Sequence, residues 1–215
     1  MSRKLISKLI ALCVGLFCIF IAYNSNLNKT YSISGNAYGT SWSVVSTSFI
    51  ADHHEKNIIK IIDHIDLVAS NYKINSEIAI INKEPANIEL SISDDLYNIL
   101  NIAEGIKRLS DGAYNIMLGK VSSKLGFAPD FSMDLIQDND DGYLLIDNNK
   151  LIKQTKNWFD LSSIAKGYAV QLIHEYLITN NLNNHLIDIG GELIVNGSNY
   201  STPWMIGIQD PNSFN

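Results

Sequence analysis

The chain has 215 residues, 46% of them hydrophobic and 18% charged, and a net charge of −6. That balance builds one packed domain rather than a disordered tail, and without a basic excess beyond the first eight residues no nucleic-acid partner is expected. The two cysteines, Cys13 and Cys18, exclude a disulfide scaffold and a cysteine zinc site.

Arg3, Lys4 and Lys8 precede an uncharged run from Leu9 to Tyr23, the layout of an export signal. The run is short for a membrane span of about 20 residues. No A-x-A cleavage site follows, and Leu12 and Phe17 are bulky where a lipid-accepting Cys13 or Cys18 wants a small neighbour. Export or tethering is the expectation, with the body on the periplasmic face of a bacterial inner membrane and the basic flank in the cytoplasm. A buried core helix is the alternative. Residues 1–30 are therefore read as signal peptide or anchor plus linker, with the linker at Asn24–Lys29, and residues 31–215 as one domain.

Alternation from Tyr31 to Ile50 predicts a strand or hairpin. Ile58, Ile61, Ile62, Ile65 and Ala69 predict an amphipathic helix from Asp52 to Ala69. Ser76 and Ser93 are placed to cap two more, the second with Leu96, Ile99, Leu100, Ala103 and Ile106 on one stripe. Gly142 to Gln154 reads as two strands joined at Asp147-Asn148-Asn149. A helix from Ile164 to Thr179 follows, then strands at Leu186–Ile189, Glu192–Val195 and Met205–Ile208. Helices and strands mix without a βαβ rhythm, so the class is α+β.

The most informative stretch runs from Phe159 to Tyr168. Ser162 or Ser163 is expected to cap the helix, and its first turn offers unpaired N–H groups and the positive end of the dipole. Lys166 in that turn opposes the dipole unless an anion binds, so the corner reads either as a phosphate seat or as a capped helix with a solvated lysine. Ser110 to Asn115 reads as a glycine helix stop. Gly190-Gly191 between two strands serves either a close ligand or a tight turn; G-x-G-x-x-G is absent, so it is no dinucleotide fingerprint. His53-His54 are expected in solvent, His64, His174 and His185 isolated, and Trp42, Trp158 and Trp204 in the core. No hydrolase triad pattern occurs.

Taken in order, Tyr38-Gly39-Thr40-Ser41-Trp42, Ser70-Asn71-Tyr72 with Ser76-Glu77 and Asn82, Ser110 to Tyr114, Leu125-Gly126-Phe127, Asp160 to Tyr168, Asp188 to Glu192, and Pro203-Trp204 with Ile208 to Pro211 resemble the ApbE family of FAD:protein FMN transferases. The resemblance implies a single ApbE-like (T-fold-like) domain of helices and antiparallel strands behind an apolar export or anchor helix. It implies a metal-dependent flavinylation enzyme that takes FAD as donor with Mg²⁺, attaches FMN to a threonine of a membrane redox subunit and releases AMP. By position, Tyr38 and Tyr72 line the flavin pocket, and Ala113, Tyr114, Asn115 and Asp160 hold the cofactor. Ser163 offers a metal-ligand oxygen, Lys166 contacts the cofactor, and Gly190 and Gly191 lie close to it. The family commonly has Asp and Pro where Asn115 and Ile116 stand, and often two glycines at Ser162 and Ser163. Its remaining metal ligands are expected beyond Asn215, so this sequence is read as a copy incomplete at its C-terminus, with little transfer of its own. The alternative is a tethered FAD-binding protein without transferase activity.

Overall fold

The computed structural model describes residues 3–26, 28–128, 142–208 and 210. The elements are α1 (Arg3–Asn26), β1 (Tyr31–Ala37), β2 (Thr40–Ser46), α2 (Asp52–Ala69), α3 (Glu77–Lys83), β3 (Glu89–Ser91), α4 (Asp94–Leu109), α5 (Gly119–Lys124), β4 (Tyr143–Ile146), β5 (Lys150–Lys153), α6 (Ala165–Thr179), β6 (His185–Ile189) and β7 (Glu192–Asn196). Two sheets form, in the orders β1-β2-β6-β7 and β3-β5-β4, and every pairing in them is antiparallel.

The four-stranded sheet is apolar on one face, where Trp42, Val44, Ile187 and Ile189 are buried against a core shared with α2 and α6. From α2, Ile58, Ile62, Ile65 and Ala69 of the predicted stripe enter that core together with Val68, while Ile61 is only partly buried against it. Each of the buried isoleucines contributes about 1.5–3 kcal/mol by leaving water. From α4 come Leu96, Ile99, Leu100 and Ala103, while Ile106 lies at the edge. Both predicted serine caps form: Ser76 Oγ accepts from the Ala79 N–H at 3.1 Å and Ser93 Oγ from Leu96 at 3.2 Å. The α4 stop is also as expected, with Gly112 at φ 83 and its N–H on the Lys107 carbonyl at 2.9 Å.

Three expectations are corrected. Met205–Ile208 forms no strand: it has no ladder partner among the described residues, and Met205 and Ile208 are exposed. Trp204 is only half-buried, its indole N–H donating to the Asn196 carbonyl, whereas Trp42 and Trp158 are buried. The N-terminal helix runs through Asn26, past the start of the expected linker. Among the described residues no helix is long and apolar enough to cross a membrane.

Two hairpin tips meet at one end of the larger sheet. Ala37 pairs with Thr40 and Ile189 with Glu192, leaving the two-residue turns Tyr38-Gly39 and Gly190-Gly191. All four turn residues have positive φ, the condition for a tight hairpin turn that follows the sheet's twist. Gly190 N–H donates to the Ser41 carbonyl at 3.1 Å, so the tips lie side by side. Glycine is required at 190 twice over, since a Cβ there would stand 2.6 Å from Thr40 Cγ2. The pair thus serves a tight turn packed on its neighbour.

Candidate functional site

A cleft of about 610 Å³ opens where the Tyr38 turn, the end of α2, the loop after it, Phe127 and the start of α6 converge. That volume falls within the roughly 300–1,000 Å³ usual for small-molecule sites. Tyr38, Tyr72, Asp160 and Lys166 line it, four of the residues singled out above, drawn together from across the chain.

Tyr38 reaches the cleft in a left-handed conformation, φ 53, which costs a bulky residue about 1 kcal/mol or more. Its hydroxyl donates to the Ile62 carbonyl at 2.7 Å, and burial, reinforced by Asp66 and Asp63, pushes the phenol pKa well above its ordinary value. A neutral, fixed ring results. On the opposite lip Tyr72 is exposed and its hydroxyl donates to the Phe127 carbonyl. The loop bearing Tyr72 is pinned by Ser70 Oγ, which accepts from Tyr72 and Lys73 N–H at 3.2 and 3.3 Å, and by Ser76 Oγ, which donates to the Ser70 carbonyl at 2.5 Å.

Asp160 sits at the end of a segment clamped from both sides. Asn82 holds Phe159 through two hydrogen bonds, and the Asp160 N–H donates to the Ile116 carbonyl at 2.7 Å. Asp160 Oδ1 then accepts from both the N–H and the hydroxyl of Ser162, at 3.0 and 2.6 Å. Ser162 therefore does not cap α6, and neither does Ser163. The residue before the helix is Ile164, with no side-chain cap, because the chain first makes a turn that closes on the Leu161 carbonyl. The Lys166 and Gly167 N–H groups find no acceptor among the described residues, as befits orphan donors of a helix start. Lys166 is not a solvated lysine: its Nζ lies 3.0 Å from Glu192 Oε2, an ion pair joining α6 to the second hairpin.

Other expected site residues stand around the cleft without lining it. Tyr114 Oη and Ser163 Oγ are 2.9 Å apart and bonded to each other. Asn115 Oδ1 accepts from the Met117 N–H at 2.8 Å, shaping the turn after Ala113. Gly190 and Gly191 belong to the adjacent turn, where Asp188 Oδ1 accepts from the Gly191 N–H at 2.8 Å. The sequence reading of the site missed the cleft residues Asp66 and Lys73, took Ile65 and Ala69 only as helix core, and quoted Phe127 without giving it a role. Asp66 and Lys73 form an ion pair of 2.6 Å. Lys73 directly follows the quoted segment Ser70-Asn71-Tyr72 and Phe127 lies inside one; Asp66 carries no sequence signal beyond its helix.

As a magnesium site the described residues fall short. Ser163 Oγ is bonded to Tyr114 and one Asp160 oxygen to Ser162, and no group of three His, Cys, Asp or Glu gathers among the described residues. Magnesium wants near-octahedral oxygen coordination, which this donor set does not supply.

The histidines are not isolated. His64 Nε2 pairs with Asp95 Oδ2 at 2.7 Å, and Tyr168 donates to the other Asp95 oxygen at 2.8 Å. His54 Nδ1 lies 2.9 Å from Tyr176 Oη, so of the His53-His54 pair expected in solvent His53 alone is exposed. His185 is buried, its Nδ1 on the Leu182 carbonyl at 2.6 Å and its Nε2 3.0 Å from His174 Nδ1. Burial keeps the His185 pKa below its ordinary value. None of these groups lines the cleft, and all but His53 tie helices or strands together.

Fold and site together define a mixed α/β protein with antiparallel sheets and a cleft of small-molecule size beside a helix start. The chain belongs to the ApbE family, whose sequence profile matches residues 38–215. It is similar to the FAD:protein FMN transferases of Vibrio cholerae serotype O1, 26% identical over 83% of this chain and 58% of the relative, and of Haemophilus influenzae, 29% identical over 97% and 66%. Its fold matches the flavin transferase ApbE from Vibrio cholerae, with a TM-score of 0.75 and 24% identity over 85% of this chain and 64% of that one. The flavinyl transferase ApbE of Pseudomonas stutzeri, apo form, matches with the same TM-score and identity over 86% and 64%. The chain thus spans about three-fifths to two-thirds of the length of these relatives.

Proposed function

We propose that this chain carries the FAD-binding cleft of an FAD:protein FMN transferase, which moves FMN from FAD to a threonine of an acceptor protein and releases AMP. The observation that carries the reading is the convergence of Tyr38, Tyr72, Asp160 and Lys166 on one cleft of dinucleotide scale. In this reaction the threonine hydroxyl attacks the phosphorus of the FMN half. The bond from that phosphorus to the bridging oxygen breaks, AMP departs with the electron pair, and the hydroxyl proton goes to a base.

Such a transfer asks a protein mainly for position and charge neutralisation. Lys166 and the orphan N–H groups of its turn receive the diphosphate, the charge complement of a helix start. Asp160, held through one oxygen by Ser162, keeps the other for a donor on the ligand. Mg²⁺ enters this reading only through Ser163, and because the described residues lack its other ligands no step is routed through it. Arg3, Lys4, Lys8 and the exposed apolar residues of α1, among them Ile10, Phe17 and Ile21, support tethering at the extracytoplasmic face of a bacterial inner membrane, beside a membrane redox subunit as acceptor.

Titration of the protein with FAD, read by calorimetry, tests the reading. The wild type is expected to bind, and K166E and D160A to lose at least about tenfold in affinity, the loss of one charged contact. A wild type that ignores FAD, or variants that bind it equally well, would sink it.

A further inference from the structure

We propose that Asp95 is a positioning residue for FAD, a carboxylate outside the cleft that sets how two of its walls stand relative to each other. The inference rests on the FAD-binding reading above and concerns a residue outside every motif of the resemblance.

One wall of the cleft comes from α2, through Ile65, Asp66 and Ala69, and another from the start of α6, through Ala165 and Lys166. His64 directly precedes the α2 residues, and Tyr168 follows Lys166 by two positions. Neither lines the cleft; both meet on one carboxylate. Asp95 Oδ2 lies 2.7 Å from His64 Nε2, and Oδ1 accepts from the Tyr168 hydroxyl at 2.8 Å. The same hydroxyl accepts from Asn98 Nδ2 at 3.4 Å, so α4 holds Tyr168 at two points about one turn apart.

The support is itself anchored. Asp95 stands in the first turn of α4, where the helix dipole favours a carboxylate. Ser93 caps that turn, and Glu77 of α3 accepts both the N–H and the hydroxyl of Ser93. With each of its oxygens committed to a different helix, Asp95 bridges α2 and α6 without touching a ligand. Without that bridge the α6 start is free to shift against α2, and small misplacements of a binding group are costly.

Calorimetric dissociation constants for FAD at pH 8 test this, on the wild type and on D95A, D95N and Y168F, each first shown to be folded by its melting curve. D95A is expected to bind about fivefold more weakly, the scale of coupling through a packed network. Y168F, which removes only the bond to α6, should lose about threefold and carries the test if D95A does not fold. D95N should stay within about twofold of the wild type, because its amide oxygen can accept from Tyr168 while its nitrogen donates to a neutral imidazole. In a K166Q background the D95A or Y168F loss should shrink to about twofold or less, since both changes act through the start of α6. Unchanged affinity in D95A and Y168F, a D95N as weak as D95A, or losses that add in full with K166Q would overturn the positioning role and leave the cleft assignment standing. A wild type that binds no FAD overturns both.

Discussion

The Asn82 amide grips the main chain of Phe159 at both of its polar groups: Nδ2 donates to the carbonyl at 3.0 Å, and Oδ1 accepts from the N–H at 2.7 Å. Asp160 is the next residue, so α3 sets where the cleft carboxylate stands. N82A is expected to destabilise the fold by about 1–3 kcal/mol, the cost of leaving half-buried main-chain groups unpaired. It should also weaken FAD binding, whereas N82D, which keeps the acceptor, should lose less of both. Urea denaturation with parallel FAD titration reads the two effects. Destabilisation with full FAD affinity would limit Asn82 to a purely scaffolding role.

The second hairpin tip offers a steric test. G190A places a methyl 2.6 Å from Thr40 Cγ2 in a backbone at φ 58, while G191A at φ 97 meets nothing within 4 Å. Left-handed strain alone costs roughly 1–2 kcal/mol, so G190A should lose clearly more than G191A. The T40S background should recover part of the excess in chemical melts. Equal losses at the two positions would argue against the close approach.

Glu192 competes with any anion for Lys166. Neutralising it in E192Q leaves the lysine's full charge to the diphosphate, and ADP is expected to bind up to about fivefold tighter, the worth of one partly exposed ion pair. K166E should reverse the effect. If E192Q weakened ADP instead, Glu192 would be holding Lys166 in place rather than occupying it.

Alkaline pH probes the buried ammonium of Lys153, which donates to the Ile81 and Asn82 carbonyls at 3.1 and 2.9 Å. Burial first, then the Lys120 charge, bring its pKa down to about 8. An unfolded lysine keeps its proton to about pH 10.4. Between these values the unfolded chain holds the extra proton, so Lys153 makes the native state gain stability as pH rises through that window. Beyond about pH 10 the opposite sign sets in: tyrosines freed by unfolding ionise, while Tyr38 and Tyr143 in the folded protein, pushed up by burial, stay protonated. The melting temperature of the wild type relative to K153M should therefore climb from pH 8 to 10. A constant difference across that range contradicts the assignment.

Much of the fold was legible because it is local. The isoleucine spacing of α2, the stripe of α4, the serine caps and the Asp147-Asn148-Asn149 turn each depend on neighbours within a few residues. Elements set by distant partners were not. α5, GKVSSK, has no apolar periodicity, and β3 is three residues held by β5. Ser162 had cap chemistry but was claimed by Asp160, a competition that the pattern alone does not resolve. The histidine contacts join positions as far apart as 54 and 176. At the site, the motif residues named what is special about the chain but not what each does: Ser76, Glu77 and Asn82 turn out to brace loops and strands. Glu77, for instance, accepts both the N–H and the hydroxyl of Ser93 at 2.6 and 2.5 Å.

The strand order β1-β2-β6-β7 seats the first hairpin beside the last, with Trp42 opposite Ile189. On the ribosome, β2 must therefore wait with an open edge while the intervening chain is made, on the order of ten seconds at about 5–20 residues per second. An unpaired strand carrying Trp42 and Val44 is a template for stray pairing during that interval. Yield of this protein should accordingly respond to chaperone supply and to slower, cooler expression more than to any single surface substitution.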